Sequence, residues 1–153
     1  MITIKEAKVD DVDEIIDLFE STVKAVNKKD YSPEQIAVWT SAKDQNIWSE
    51  KVKSQNFYLA KIGNEIVGFS SIDNSGYLDF MYVHKDFQGH GIAKSLLNQI
   101  ELKARELELT KIHSSVSSTA QPFFKSQGFE VYDQEHKNIN DIAFTNALMQ
   151  KVL

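Results

Sequence analysis

Cysteine is missing from all 153 residues. That excludes a disulfide, a thiolate metal site and a cysteine nucleophile. Proline (2) and glycine (6) are scarce, so collagen-like and proline-rich or glycine-rich low-complexity chains are excluded too. No stretch approaches the roughly 20 apolar residues of a membrane span. The opening Met1 to Glu6 alternates instead of running from basic to apolar as a leader does, so a cytoplasmic location is expected. Positive charge is also short, at 17 basic against 22 acidic side chains and a net −5. This argues against nucleic acid or an anionic membrane as the main partner, because both reward a basic surface. A small anionic ligand is compatible, since it needs only a local set of donors.

What is present reads as one α/β domain over residues 1–153, with no linker or shift of composition. Ile2 and Ile4 alternate as a short strand. Asp10 stands where an N-cap would, and Val12, Ile15, Ile16, Phe19, Val23 and Val26 follow at helical spacing. Ser32-Pro33-Glu34-Gln35 opens a short aromatic-rich helical region holding Ile36, Trp39, Ile47 and Trp48. Strands are expected over 57–62, 65–72 and 77–83, joined by the turn residues Gly63-Asn64 and Asn74-Ser75-Gly76, which makes them antiparallel neighbours. A long helix runs from Gly91 to about Leu109. A strand over 112–116, a short helix over 119–126 closed by Gly128, and strands over 129–132 and 142–149 complete the chain.

The informative stretch is Tyr77 to Lys94, where a strand enters a glycine-bearing loop that opens an amphipathic helix. Glycine allows close backbone approach, and the unpaired N–H groups and dipole of a helix start favour phosphate. The chemistry implied is a pyrophosphate seated on backbone amides. A Walker A loop is excluded because Ala93, not glycine, precedes Lys94-Ser95. A dinucleotide fingerprint is excluded because Lys94 stands at its third glycine, and because antiparallel strands come first.

Gln88-x-x-Gly91-x-Ala93 resembles the acyl-CoA loop of the GCN5-related N-acetyltransferase (GNAT) superfamily, Gln/Arg-x-x-Gly-x-Gly/Ala. Ala120-x-Pro122-Phe123-Phe124-x-x-x-Gly128-Phe129 resembles the same superfamily's Ala-x-x-Phe-Tyr-x-x-x-Gly-Phe helix. The order of elements also matches, and Tyr31 to Trp39 looks like the YafP-like subgroup, as do Phe123-Phe124 and Thr145-Asn146-x-x-Met149. The resemblance implies a mixed, mostly antiparallel sheet of six to seven strands, splayed between the fourth and fifth and flanked by about four helices. It implies acetyl transfer from acetyl-CoA to a small amine, with no metal, in a monomer or homodimer. Pantetheine would pair with backbone at Met81, Tyr82 and Val83 like an added strand, and the Val83 N–H would face the thioester carbonyl. Gln88, Gly89, His90, Gly91, Ile92, Ala93 and Lys94 would hold the pyrophosphate, with Ser117, Ser118 and Phe123 on the far side.

Acetyl transfer needs a neutral amine and therefore a proton acceptor. Asp79, flanked by Leu78, Phe80 and Met81, is the first candidate. Tyr82 is the second, although its alternation with Leu78 and Phe80 suggests a ring facing the core. Phe124 departs from the superfamily pattern, where a tyrosine at this place serves as general acid. That departure leaves open a module that binds acyl-CoA without catalysis and acts through a protein partner. Tyr31 and Trp39, with Trp48, fall where the superfamily builds the acceptor pocket, and aromatic walls on an acidic protein suit a cationic amine with an apolar body. The four histidines, His84, His90, His113 and His136, lack carboxylates at ligand spacing; His136 sits in a stretch read as a polar turn.

Overall fold

Period-two alternation sets the first sheet. Strands β1 (Thr3–Glu6), β2 (Asn56–Ile62), β3 (Glu65–Ile72) and β4 (Leu78–Val83) pair antiparallel in that order in the computed structural model, which describes all 153 residues. One face carries α1 (Val12–Ala25), α2 (Pro33–Thr40) and α3 (Gln45–Ser54); the other carries α4 (Ile92–Glu106). The chain then forms β5 (Lys111–Val116), α5 (Gln121–Ser126), β6 (Glu130–Ile139) and β7 (Ile142–Val152), giving a second antiparallel sheet ordered β5-β7-β6.

Local chemistry explains where the elements begin. Ser32 Oγ accepts the Gln35 N–H at 3.1 Å while Gln35 Oε1 accepts the Ser32 N–H at 2.8 Å, a reciprocal cap that starts α2. The aromatic region is two helices rather than one, because Asp44 Oδ1 accepts from Asn46 and Ile47 and starts α3. Ile47 then faces solvent and Trp48 faces the core. Asp10 is not the cap of α1. A single tight turn over Val9–Asp11 intervenes, and Asp11 Oδ2 takes the Lys8 N–H at 2.8 Å.

Two cores lie on opposite faces of the first sheet. Val12, Ile15, Phe19 and Val23 of α1 pack with Phe57, Leu59 and Phe69 on one side. Ile92, Leu96, Leu97 and Ile100 of α4 pack with Val67, Leu78 and Val83 on the other, and this core continues into Ile112, Val116 and Met149 of the second sheet. The last two strands are longer than their sequence suggests. They run on to Ile139 and Val152 around a turn at Asn140-Asp141, so His136 lies in a strand. Almost all of β6 is exposed, so no apolar alternation marks it.

The two sheets meet at one end only. Tyr77 bridges His113 in the parallel sense, the His113 N–H reaches the Gly76 carbonyl at 3.0 Å, and Ser114 Oγ donates to the Leu78 carbonyl at 2.7 Å. Beyond Leu78 the fourth and fifth strands part, as the resemblance implies. The count is seven strands and five helices.

Candidate active site

The splay leaves β4 with backbone groups that no strand uses. The His84 N–H donates to the Val67 carbonyl at 2.8 Å, while Val83 faces Gly68 and Met81 faces Ser70. Since hydrogen-bonded and non-bonded pairs alternate in an antiparallel ladder, Met81 and Val83 direct their backbone N–H and C=O into the opening. A cavity of about 310 Å³ fills it, lined on this side by Met81, Val83, Gln88 and Ala93 and on the other by Val116, Ser117 and Phe123.

The loop before α4 is built to present donors. Gly89 and Gly91 hold φ of 77° and 78°, which glycine adopts without strain, and a Cβ on either would meet no atom within 4 Å. From Gln88 to Lys94 no backbone N–H donates to another group of the chain, and the first helical bond is Ser95 N–H to the Gly91 carbonyl at 3.0 Å. Gln88 braces this loop: its amide donates to the Val83 carbonyl at 2.7 Å and to the His84 carbonyl at 3.4 Å. His90 Nδ1 lies 3.0 Å from the Gln88 carbonyl oxygen. Lys94 is exposed, whereas the Ile92 side chain is core, so Ile92 can offer a ligand only its N–H. Gly68 is a determinant that the sequence reading passed over. A Cβ there would stand 2.9 Å from Ile92 Cγ2 and 3.0 Å from the Tyr82 carbonyl oxygen, so this glycine lets the start of α4 lie on the sheet.

Asp79 occupies an irregularity. Ser71 pairs with Phe80 and Ile72 with Leu78, leaving Asp79 as the extra residue of a β-bulge. A bulge re-aims a side chain. Leu78 therefore joins the α4 core, Phe80 and Tyr82 pack on the α1 side, and Leu78 is not Tyr82's alternation partner. Asp79 is turned toward α3 instead of lying among its apolar chain neighbours. Its Oδ2 takes the Lys51 ammonium at 2.7 Å and the Gln55 amide at 2.9 Å, and Gln55 Oε1 in turn accepts the Ser71 hydroxyl at 2.7 Å. Oδ1 has no partner in the chain.

The rings expected around an acceptor do converge. Tyr31 and Trp39 stand edge to face at 5.0 Å, with Phe144 6.3 Å from each, and all three line the cavity. The Tyr31 hydroxyl accepts the Ser118 N–H at 2.8 Å, so that amide is already used, and Ser118 does not line the cavity. Trp48 is core, stacked on Phe80 at 4.7 Å with its indole N–H on the Ala42 carbonyl. Tyr82, half-buried, packs on Phe19 at 5.3 Å and Phe69 at 5.4 Å and lines the cavity. Burial pushes its phenol far up, against a hydrogen bond with Trp39 and with help from Asp79 and Tyr31, so it stays a neutral donor.

Phe124 is 2% exposed, edge to face with Phe129 at 5.0 Å. Phe124→Tyr is expected to bury a hydroxyl without a partner and to cost about 1–3 kcal/mol, read as a lower melting midpoint with no gain in turnover. A faster enzyme of unchanged stability would contradict this.

Several further polar residues of the cavity were not assigned to the site from the sequence, among them Tyr77, Ser115, Asn146 and Lys137. Tyr77, pushed up to about 12 by burial and then by Asp79 and Glu135, stands near the meeting point of the sheets. Ser115 and Asn146 lie on the floor. The inward set Ile112, Ser114 and Val116 held the signal for Ser115, since its side chain must then face the other way.

A splayed sheet, a donor loop at a helix start and an aromatic-walled cavity define an acyl-CoA-dependent transferase. Residues 27–153 match the family described as "Acetyltransferase (GNAT) domain". The chain belongs to this family, and it is an acetyltransferase that uses acetyl-CoA. Among relatives, it is 29% identical over 150 residues to an uncharacterized N-acetyltransferase, YafP of Escherichia coli K12, covering 97% of this chain and 95% of the relative. Among solved structures, it is similar to a GCN5-related N-acetyltransferase from Rhodopseudomonas palustris, with TM-score 0.95, 24% identity and coverage of 99% and 95%. The PaiA N-acetyltransferase of Thermoplasma acidophilum, solved in complex with coenzyme A, is also similar, with TM-score 0.87, 19% identity and coverage of 100% and 99%.

Proposed function

We propose that the chain moves the acetyl group of acetyl-CoA directly to the amine of a small molecule while both are bound, with no acetylated enzyme between. The observation that carries this reading is one cavity bordered both by the unpaired backbone donors of β4 and by the rings of Tyr31 and Trp39. The amides of Gly89 to Lys94 receive the pyrophosphate. Pantetheine lies along Met81 and Val83 between the parted strands, with Ser117 and Phe123 opposite. The Val83 N–H then polarises the thioester carbonyl, where negative charge develops as the amine attacks. Gln88 shapes the loop more than it touches ligand, because its amide is committed to the Val83 carbonyl. Tyr31 and Trp39 hold the apolar body of the acceptor, and Tyr82 offers a phenol proton to the polar end. Asp79 faces the amine through its free oxygen. Its other oxygen is occupied by Lys51 and Gln55, which suits an orienting charge better than a proton acceptor.

The test is release of free thiol from acetyl-CoA across a panel of primary amines with aromatic and aliphatic bodies. Amine-dependent release with the matching acetamide in the products supports the reading. Acetyl-CoA binding without release for any amine would favour the non-catalytic acyl-CoA module, which Phe124 first suggested.

A further inference from the structure

Behind the cavity lies a second carboxylate, Glu135, which a cavity-lining serine connects to the opening. Ser115 Oγ donates to Glu135 Oε1 at 2.7 Å and accepts the Asn146 amide at 3.0 Å. Asn146 thereby fixes the serine rotor, because an oxygen receiving one hydrogen bond there must point its own proton at Glu135. Ser115 and Asn146 both line the cavity, and a remaining lone pair of Ser115 is free to receive a proton from a bound molecule. Glu135 keeps 37% of its side chain exposed, which provides an exit to bulk water. Register explains the cluster. Glu135 faces Asn146 across β6 and β7 and Ser115 faces Leu148 across β5 and β7, so the three share a patch of the second sheet.

We infer that Ser115 relays the proton of the attacking amine to Glu135. This rests on the acetyl-transfer reading above. The neutral amine attacks the thioester carbonyl carbon, and as the C–N bond forms the nitrogen becomes positive and its N–H acidic. That proton passes to Ser115 Oγ while the Ser115 proton passes to Glu135. The C–S bond then breaks, the CoA thiolate leaves, and Glu135 gives its proton to water. Lys137 Nζ lies 3.6 Å from Glu135 Oε1, the oxygen that takes the Ser115 hydroxyl; Tyr77, just before β4, feels both Glu135 and Asp79, and the His113 ring stands 5.4 Å beyond the Tyr77 ring. Tyr77 remains protonated up to about pH 12 and does not compete as acceptor.

The experiment is kcat/KM at neutral pH for wild type, Glu135→Gln, Ser115→Ala, Ser115→Thr and Asp79→Asn, using the fastest amine of the panel, with acetyl-CoA affinity and melting measured for each. In Glu135→Gln and Ser115→Ala the rate drops by about 10²-fold or more, the usual cost of losing a proton-transfer group. Ser115→Thr keeps the hydroxyl and with it most of the rate. Acetyl-CoA affinity stays unchanged, and Asp79→Asn loses less than either relay variant. A wild-type rate in Glu135→Gln or Ser115→Ala, an equal loss in Ser115→Thr and Ser115→Ala, or a loss confined to Asp79→Asn overturns the relay and leaves acetyl transfer standing. A wild type that releases no thiol with any amine overturns the acetyl-transfer reading, and the relay with it.

Discussion

Gly91→Glu is expected to abolish acetyl-CoA binding in a protein that still folds. The backbone at Gly91 has φ 78°, in the left-handed region, and the side-chain direction is open, with no atom within 4 Å. The substitution therefore meets no clash. It costs roughly 1–2 kcal/mol for placing a residue with a Cβ in that conformation, against a typical domain stability of about 5–15 kcal/mol. Its effect on the ligand is far larger. The new carboxylate stands at the start of α4 among the unpaired amides of Gly89 to Lys94, where a pyrophosphate would otherwise be the anion they bind. Titration calorimetry at low salt should show no measurable heat for acetyl-CoA, with a far-ultraviolet spectrum like the wild type's. Gly91→Ala separates the two contributions, since it carries the strain without the charge and should weaken binding only modestly. Wild-type affinity in a folded Gly91→Glu would remove the loop from the site.

That loop was legible because glycine placement and a helix start are local chemistry. Gly89 and Gly91 both adopt positive φ, and the Ser32-Gln35 cap forms as its spacing requires. What the sequence did not reveal is set by register. Asp79 looked buried among Leu78, Phe80 and Met81 because period-two alternation assumes an unbroken ladder. A bulge between Ser71 and Ile72 turns it toward Lys51, 28 residues earlier, and no neighbour in the chain announces that. Ser115, Glu135 and Asn146 are brought together by three strands whose pairing the sequence does not print. Glu135 further lies on a strand so exposed that its pattern resembles a loop. Gly68 is invisible for a similar reason: its need for a missing side chain comes from Ile92, a partner 24 positions away on the packed helix. The site is thus half local and half topological. The glycine loop before α4 belongs to the first kind, and the cluster of Ser115, Glu135 and Asn146 belongs to the second.

Phe69→Ala should produce the largest loss of stability while sparing acetyl-CoA binding. Phe69 is fully buried in the middle of β3, and its ring lies 5.7 Å from Phe57, 6.0 Å from Trp48, 6.0 Å from Phe80 and 5.4 Å from Tyr82. These rings form the layer on which α1 and α3 sit. Removing such a side chain costs about 3–5 kcal/mol, because the lost transfer energy is compounded by a cavity the neighbours cannot fill. At roughly 2–4 °C per kcal/mol for a domain of this size, the melting midpoint should fall by about 6–20 °C. The functional consequence is directional. Phe69 and Gly68 point to opposite faces of β3, and the helix that opens on the donor loop packs on the Gly68 side, with Met81 and Val83. Measured well below the new midpoint, acetyl-CoA affinity should therefore match the wild type. Phe80 and Tyr82, which line the cavity, lose their support, so the KM of the amine should rise more than kcat falls. A midpoint within about 2 °C of wild type, below the smallest shift this burial allows, would show that the aromatic layer is not close-packed. Loss of acetyl-CoA affinity in the folded variant would show instead that the two faces of the sheet are energetically coupled, and that the cofactor side cannot be treated apart from the acceptor side.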